Sequence, residues 1–140
     1  MFLSHFLSHA NWLAILVAGL AYFAVGAVWY QRPVFGNAWA AGHNLTIDPE
    51  KAKKQMPVIM LLTLVFTFFV SVLTGFLVSA LYSQTVMSGL KVGLFAGGFI
   101  GACMAINYIY TGKTIKLLCI DAGYHIVGTA LCGIIISIWH

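Results

Sequence analysis

Long runs without a formal charge are the feature that most constrains this chain. No Lys, Arg, Asp or Glu occurs in residues 1–31, and none occurs between Gln55 and Leu90. A helix of about 20 apolar residues crosses the ~30 Å hydrocarbon core of a bilayer. Only 7% of the 140 residues are charged, against about 25% in soluble domains. Because the chain cannot cover a water-facing surface, we predict an integral membrane protein.

Four apolar segments predict four transmembrane helices, over residues 11–30, 57–81, 89–110 and 115–139. The apolar start lacks a Lys/Arg region and is longer than the core of a signal peptide, so we predict a retained span. Short connections favour antiparallel neighbours. The predicted fold is thus a single all-α membrane domain over residues 1–140, an antiparallel four-transmembrane-helix bundle. Aromatic residues typical of membrane-interface anchors lie at span ends or in the first loop: Trp12, Trp29, Tyr30, Trp39 and Trp139.

The distribution of basic residues predicts the orientation. Of the seven basic residues, only Lys91 lies in neither the first nor the third connection, and it is placed on the other side. The six that lie in or beside those two connections are Arg32, Lys51, Lys53, Lys54, Lys113 and Lys116. Cytoplasmic loops carry the excess of Lys and Arg, so we predict a cytoplasmic loop 31–56 and both termini on the opposite side of the membrane. These residues form no basic stripe. We therefore expect a lipid bilayer as partner and no nucleic acid.

Small residues recur every four positions along the third and fourth segments. The third carries Gly89, Gly93, Gly97 and Gly101, and the fourth carries Gly133 in the series from Asp121 to Ser137. Residues four apart share a helix face, and glycine lets two helix backbones approach closely in lipid. Two interpretations follow, packing within one bundle or contact with another copy, and both can hold together. We therefore expect a homo-oligomer or a subunit of a membrane complex.

A polar site is predicted near the start of the fourth span. Asp121 is one of three acidic residues and the only one inside a span, and His125 follows it by four positions. This spacing allows a hydrogen bond between the two side chains. Asn107, six residues before Lys113, and Asp121, five after Lys116, lie at a matching depth of about 8–9 Å.

Tyr108 and Tyr124 lie at similar depths, and Tyr30 can close the cluster. The intramembrane site is thus Asn107, Asp121, Tyr124 and His125. One interpretation is a clasp between the third and fourth helices. The other is a role in proton handling, ligand capture or metal contact, because ionisable groups inside spans often mark function.

The sequence predicts no metal and no cofactor. One histidine and one carboxylate fall short of the three or four ligands that a metal needs. His5, His9 and His140 share the opposite side and offer only a weak surface metal site. A haem on His125 would need a second ligand from another copy. No nucleophile stands beside His125 and no phosphate-binding loop is present, so we predict no catalytic residues and no enzyme.

The chain resembles a family of small bacterial membrane proteins, the domain of unknown function 1761. The residues that carry the resemblance are Asn11-Trp12, Gly26, Trp29-Tyr30, Pro33, Phe35-Gly36, Trp39, the run Ala122-Gly123-Tyr124-His125, Gly133 and Trp139. The resemblance implies four spans and no assigned activity, and its Ala-Gly-Tyr-His run favours Tyr124 and His125 as functional residues. The chain departs from the family pattern at Asp121, where asparagine is commoner, which weighs against a role that needs a carboxylate.

The sequence and the resemblance together predict a multi-pass protein of the bacterial inner membrane, an accessory or self-assembling subunit packed through small-residue helix faces. The alternative is a small transporter or proton-linked carrier that uses Asp121 and His125 at a site on the cytoplasmic side. A membrane-embedded enzyme comes third.

Overall fold

A computed structural model describes residues 2–46 and 48–139, and the regular elements of these residues are all helical. In chain order they are α1 (Phe2–His9), α2 (Trp12–Trp29), a π-helical turn (Arg32–Gly36), α3 (Asn37–Gly42), α4 (Pro49–Ala80), α5 (Val86–Tyr110) and α6 (Ile115–Ile138). Of these, α2, α4, α5 and α6 are long and apolar enough to cross a membrane. The predicted all-α, four-span fold is confirmed.

Short polar residues set where the spans begin. The Asp48 carboxylate accepts from the backbone N–H of Glu50 at 3.0 Å and caps α4, as its Asp-Pro-Glu sequence predicts. Thr85 and Ser88 cap α5 reciprocally, and Thr114 caps α6. Helix α4 therefore starts at Pro49, about two turns before the span predicted from apolarity alone.

Helix α6 lies at the centre of the molecule. It packs against α5, α2 and α4, and it is the most buried of the four long helices. Helices α2 and α4 pack together on one side of α6, whereas α5 contacts mainly α6 and only a little of α4. The helices are therefore organised around α6, and α5 has one principal neighbour.

The glycines of α5 lie against α6 of the same chain. A methyl group added at Gly93 would meet the carbonyl oxygen of Thr129, and one added at Gly89 would meet that of Gly133. One added at Gly97 would lie 2.6 Å from an α6 backbone carbon. A side chain at any of these three positions would force the two backbones apart.

The neighbouring glycines mark the edges of this contact. A methyl group at Gly101 would lie 3.3 Å from the side chain of Ala122, slightly closer than ordinary van der Waals contact, and one at Gly98 would meet no atom within 4 Å. The small-residue face of α5 is therefore occupied within one chain. A second copy cannot use it while α6 is in place.

The two ends of the molecule differ in character. At the terminal end, where α1 and the end of α6 lie, Asn11 Nδ2 donates to Trp139 O at 2.9 Å, and Trp12 and Trp139 are both exposed. At the loop end, which holds residues 30–48 and the turn between α5 and α6, the aromatic side chains pack against each other. The candidate site lies at this loop end.

Candidate functional site

The carboxylate of Asp121 is buried among three donors. Tyr30 O–H donates to Oδ1 at 2.8 Å, Tyr108 O–H donates to Oδ2, and His43 Nε2 lies 3.4 Å from Oδ2. We call these four residues the Asp121 cluster. It joins the end of α2, the end of α3, α5 and α6 at one point.

His43 reaches the cluster because the first loop folds back over the end of α2. The ring of Phe35 packs at a tilt against that of Trp29, with centroids 4.7 Å apart. Trp39 packs edge-on to Tyr30 at 5.5 Å and lies 4.9 Å from the His43 ring. Four aromatic side chains thus fix the short helix α3, which places His43 beside Asp121.

Residues at and just before the start of α6 also contact this loop. Lys113 Nζ donates to the carbonyl oxygen of Gly42 at 3.5 Å. A side chain at Gly42 would run into Leu117, since an added methyl carbon would lie 2.8 Å from Leu117 Cδ1. Trp29 Nε1 donates to Ile120 O at 3.0 Å. The loop, the end of α2 and the start of α6 therefore form one packed unit.

Burial explains why Asp121 needs these partners. Its side chain is 8% exposed, and that of His43 is 27% exposed. A carboxylate removed from water is costly unless it is paired and hydrogen-bonded. Tyr30, Tyr108 and His43 supply that compensation from three other segments of the chain. Through these hydrogen bonds the carboxylate holds the three segments against α6.

A second polar pair lies one turn further along α6. The hydroxyl of Tyr22, a side chain only 1% exposed, lies 2.5 Å from His125 Nδ1. The possible hydrogen bond between Asp121 and His125 is not formed: Nδ1 of His125 pairs with Tyr22, and the oxygens of Asp121 pair with Tyr30, Tyr108 and His43. Gly128 makes room for this pair, since an added methyl group there would overlap the Tyr22 ring.

Tyr124 links the two polar groups through its ring. Its centroid lies 5.2 Å from that of Tyr22, 5.4 Å from Tyr30 and 4.7 Å from His125. A methyl group at Gly26 would lie 3.0 Å from the Tyr124 ring, so this glycine gives the ring its place. Such tilted and edge-on pairs are favourable aromatic contacts.

A cleft of about 320 Å³ lies beside this pair, between α4 and the helices α2 and α6. We call it the lateral cleft. Its lining is mostly apolar: Tyr22, Ile59, Leu62, Thr63, Phe66, Thr67, Val70, Tyr124 and His125. Asp121 does not line it. A second cleft of about 270 Å³ lies elsewhere between α2 and α4 and is lined almost wholly by apolar atoms.

The structure differs from the predicted site at Asn107. Its side chain is exposed, and the next residue, Tyr108, meets Asp121 instead. One residue turns the side chain by about 100° around a helix, so matching depth alone did not decide which residue makes the contact. Tyr124 and His125 lie at the site, and so does Tyr30.

Two residues of the site were missed from the sequence. A sequence pattern could have identified Tyr22, since the four-residue spacing of Ala14 and Ala18 in the first span continues to Tyr22, Gly26 and Tyr30. Those positions form the face of α2 that meets α6. For His43 the only such pattern is its position four residues after Trp39, which places both side chains on one face of a short helix.

No group of three or more His, Cys, Asp or Glu side chains that could hold a metal occurs within residues 2–46 and 48–139. The rings of His5 and His9 stack with centroids 4.2 Å apart. His140, the third member of the weak surface site, lies outside the described residues. The Cys132 thiol donates to Ala18 O at 3.4 Å and is buried, whereas the side chains of Cys103 and Cys119 are exposed.

Comparison with known proteins identifies one family and no assigned activity. No curated protein and no solved structure matches the chain. The sequence profile of one family, described as a protein of unknown function, matches residues 13–137, which span α2 to α6 and include every residue of the Asp121 cluster and the Tyr22–His125 pair. The chain therefore belongs to the DUF1761 family of proteins of unknown function.

Proposed function

We propose that this protein is a non-catalytic accessory subunit of the membrane, and that the Asp121 cluster is its structural junction. The observation that carries this proposal is the set of three donors around one carboxylate, contributed by α2, α3 and α5. A carboxylate that moves protons or captures a ligand needs an opening to its oxygens. Asp121 is turned inward to its own chain, which supports a structural role.

We assign the contact with other subunits to the outer face of α5. This helix has one principal neighbour in its own chain, and its glycine face is already occupied by α6. On the opposite face Phe95 and Phe99 are 73% and 68% exposed. In lipid the hydrophobic effect does not draw helices together, and van der Waals packing between helices does; the two phenylalanine rings offer surface for such packing.

Photo-crosslinking in native membranes tests this assignment. A photoreactive phenylalanine analogue at Phe99 is compared with the same analogue at Leu13, which is 57% exposed on α2. We expect one discrete product from position 99 and none from position 13. A product of twice the 15.2 kDa chain mass identifies a second copy, and another mass identifies a different subunit. Equal labelling of lipid alone at both positions contradicts the assignment.

The second candidate is a small proton-linked carrier, and the lateral cleft favours it because that cleft reaches His125. The cleft does not include Asp121, so the two groups would not act on one bound substrate. Proteoliposomes that carry an internal pH-sensitive dye separate the candidates. The accessory proposal expects the same proton leak from wild type and His125→Phe, whereas a faster, His125-dependent flux would favour the carrier.

A further inference from the structure

The lateral cleft opens sideways within the span of α4. Three of its lining residues, Ile59, Leu62 and Phe66, have exposed side chains on the outer side of α4. The hydroxyls of Thr63 and Thr67 donate to carbonyl oxygens of their own helix, Ile59 O and Leu64 O. The cleft is therefore an apolar opening toward lipid, and its threonines have their protons engaged.

Among the side chains that line this cleft, only His125 carries a ring nitrogen, and the Tyr124 hydroxyl is a second polar group there. Its Nδ1 pairs with Tyr22, and its Nε2 has no hydrogen-bond partner among the described residues. No buried side-chain nitrogen or oxygen of those residues lacks a partner, so Nε2 is accessible. The opening that His125 lines is the lateral cleft.

The pairing with Tyr22 determines which nitrogen carries the proton. Tyr22 makes this one hydrogen bond, and its hydroxyl is buried. If Nδ1 donated, the phenolic proton would remain buried without an acceptor, which costs free energy. The phenol therefore donates to Nδ1, and a neutral imidazole in that state carries its proton on Nε2. The cleft thus offers a single N–H donor in apolar surroundings.

We propose that the lateral cleft binds the head group of a membrane-dissolved quinone. A ring with carbonyl oxygens accepts from His125 Nε2–H, and the rings of Phe66 and Tyr124, which line the same cleft, offer aromatic contacts. A volume of about 320 Å³ lies at the lower limit for small-molecule sites, typically ~300–1,000 Å³. It suits a head group whose apolar tail lies outside, in the lipid. This binding is additional to the proposed accessory role and does not depend on it.

The test is equilibrium binding of a decyl-tailed benzoquinone to the protein in lipid nanodiscs, followed by its effect on the thermal unfolding midpoint. A decyl-tailed benzene without carbonyl oxygens is the matched probe. His125→Phe removes the donor and keeps a ring. Leu62→Trp fills the cleft from a position that is 52% exposed, and Leu61→Trp, at 60% exposed, is its control beside the cleft. Because these two variants change lipid-facing positions, they remain informative if His125→Phe fails to fold.

We expect a saturable rise of the midpoint with the quinone and none with the carbonyl-free probe. Binding should weaken about fivefold to tenfold in His125→Phe, the loss of one hydrogen bond. It should disappear in Leu62→Trp and persist in Leu61→Trp. Equal binding of both probes, no saturable effect on wild type, or full binding to Leu62→Trp would overturn the proposal.

Discussion

The hydroxyl of Tyr108 on α5 donates a hydrogen bond to the carboxylate of Asp121 on α6, across the short turn that joins the two helices. The same carboxylate accepts from Tyr30 at the end of α2. Asp121 thus bridges the first and third spans through the fourth. The polar residue that stands out in the sequence of α6 is the point where the other segments meet.

Removal of one phenol from this junction should lower stability. Tyr108→Phe deletes the hydroxyl and keeps the ring, so one hydrogen bond to the carboxylate is lost. Such bonds contribute about 1.5–3 kcal/mol, and we expect a loss of that order in the free energy of unfolding in detergent. The control is Tyr110→Phe, since Tyr110 is 87% exposed. Equal stability of the two variants would contradict the assigned role of Tyr108.

The glycines of α5 provide an internal comparison. Gly93→Ala puts a methyl group against the carbonyl oxygen of Thr129, whereas Gly98→Ala meets nothing within 4 Å. Alanine is favoured over glycine by about 1 kcal/mol within helices. We therefore expect a lower thermal midpoint for Gly93→Ala and an unchanged or higher one for Gly98→Ala. Equal midpoints would show that the α5–α6 contact is looser than described.

The predicted orientation can be tested by labelling. In a cysteine-free variant, Lys53→Cys lies in the first turns of α4, before its apolar stretch, and Gln84→Cys lies in the connection after α4; both positions are exposed. The excess of positive charge predicts a cytoplasmic position for residue 53. A membrane-impermeant maleimide should then label residue 84 in intact cells and residue 53 only after permeabilisation. The reverse pattern would invert the assigned topology.

The fold could be predicted from the sequence because a span is recognised from consecutive apolar residues and their number. Residue-by-residue apolarity identified α2, α5 and α6 closely, since a bilayer demands a minimum number of apolar residues in a row. The start of α4 required a different signal, the Asp48 cap, which lies outside the apolar run. Both kinds of information are local.

The site was harder to predict because it depends on how each helix is rotated about its own axis and on contacts between residues distant in sequence. Depth could be counted for Asn107 and Asp121, yet Tyr108 makes the contact because it lies on the inward face of α5. His43 arrives from a loop 78 residues before Asp121, and no periodic pattern shows that the loop folds back. Tyr22 was detectable only by extending the four-residue spacing of Ala14 and Ala18 along α2.

The most direct test of the structural role of Asp121 is the thermal unfolding of Asp121→Leu in detergent, measured beside Asn107→Leu. Leucine at position 121 keeps much of the volume and leaves three donors without their acceptor. A buried donor left without its acceptor costs about 1–3 kcal/mol, so we expect the three together to lower the free energy of unfolding by at least about 3 kcal/mol. Asp121→Asn, which keeps one acceptor oxygen, should fall between this variant and wild type. Asn107→Leu, at a comparable depth but with an exposed side chain, should unfold like wild type. Wild-type stability in Asp121→Leu, or equal losses at both positions, would contradict the account.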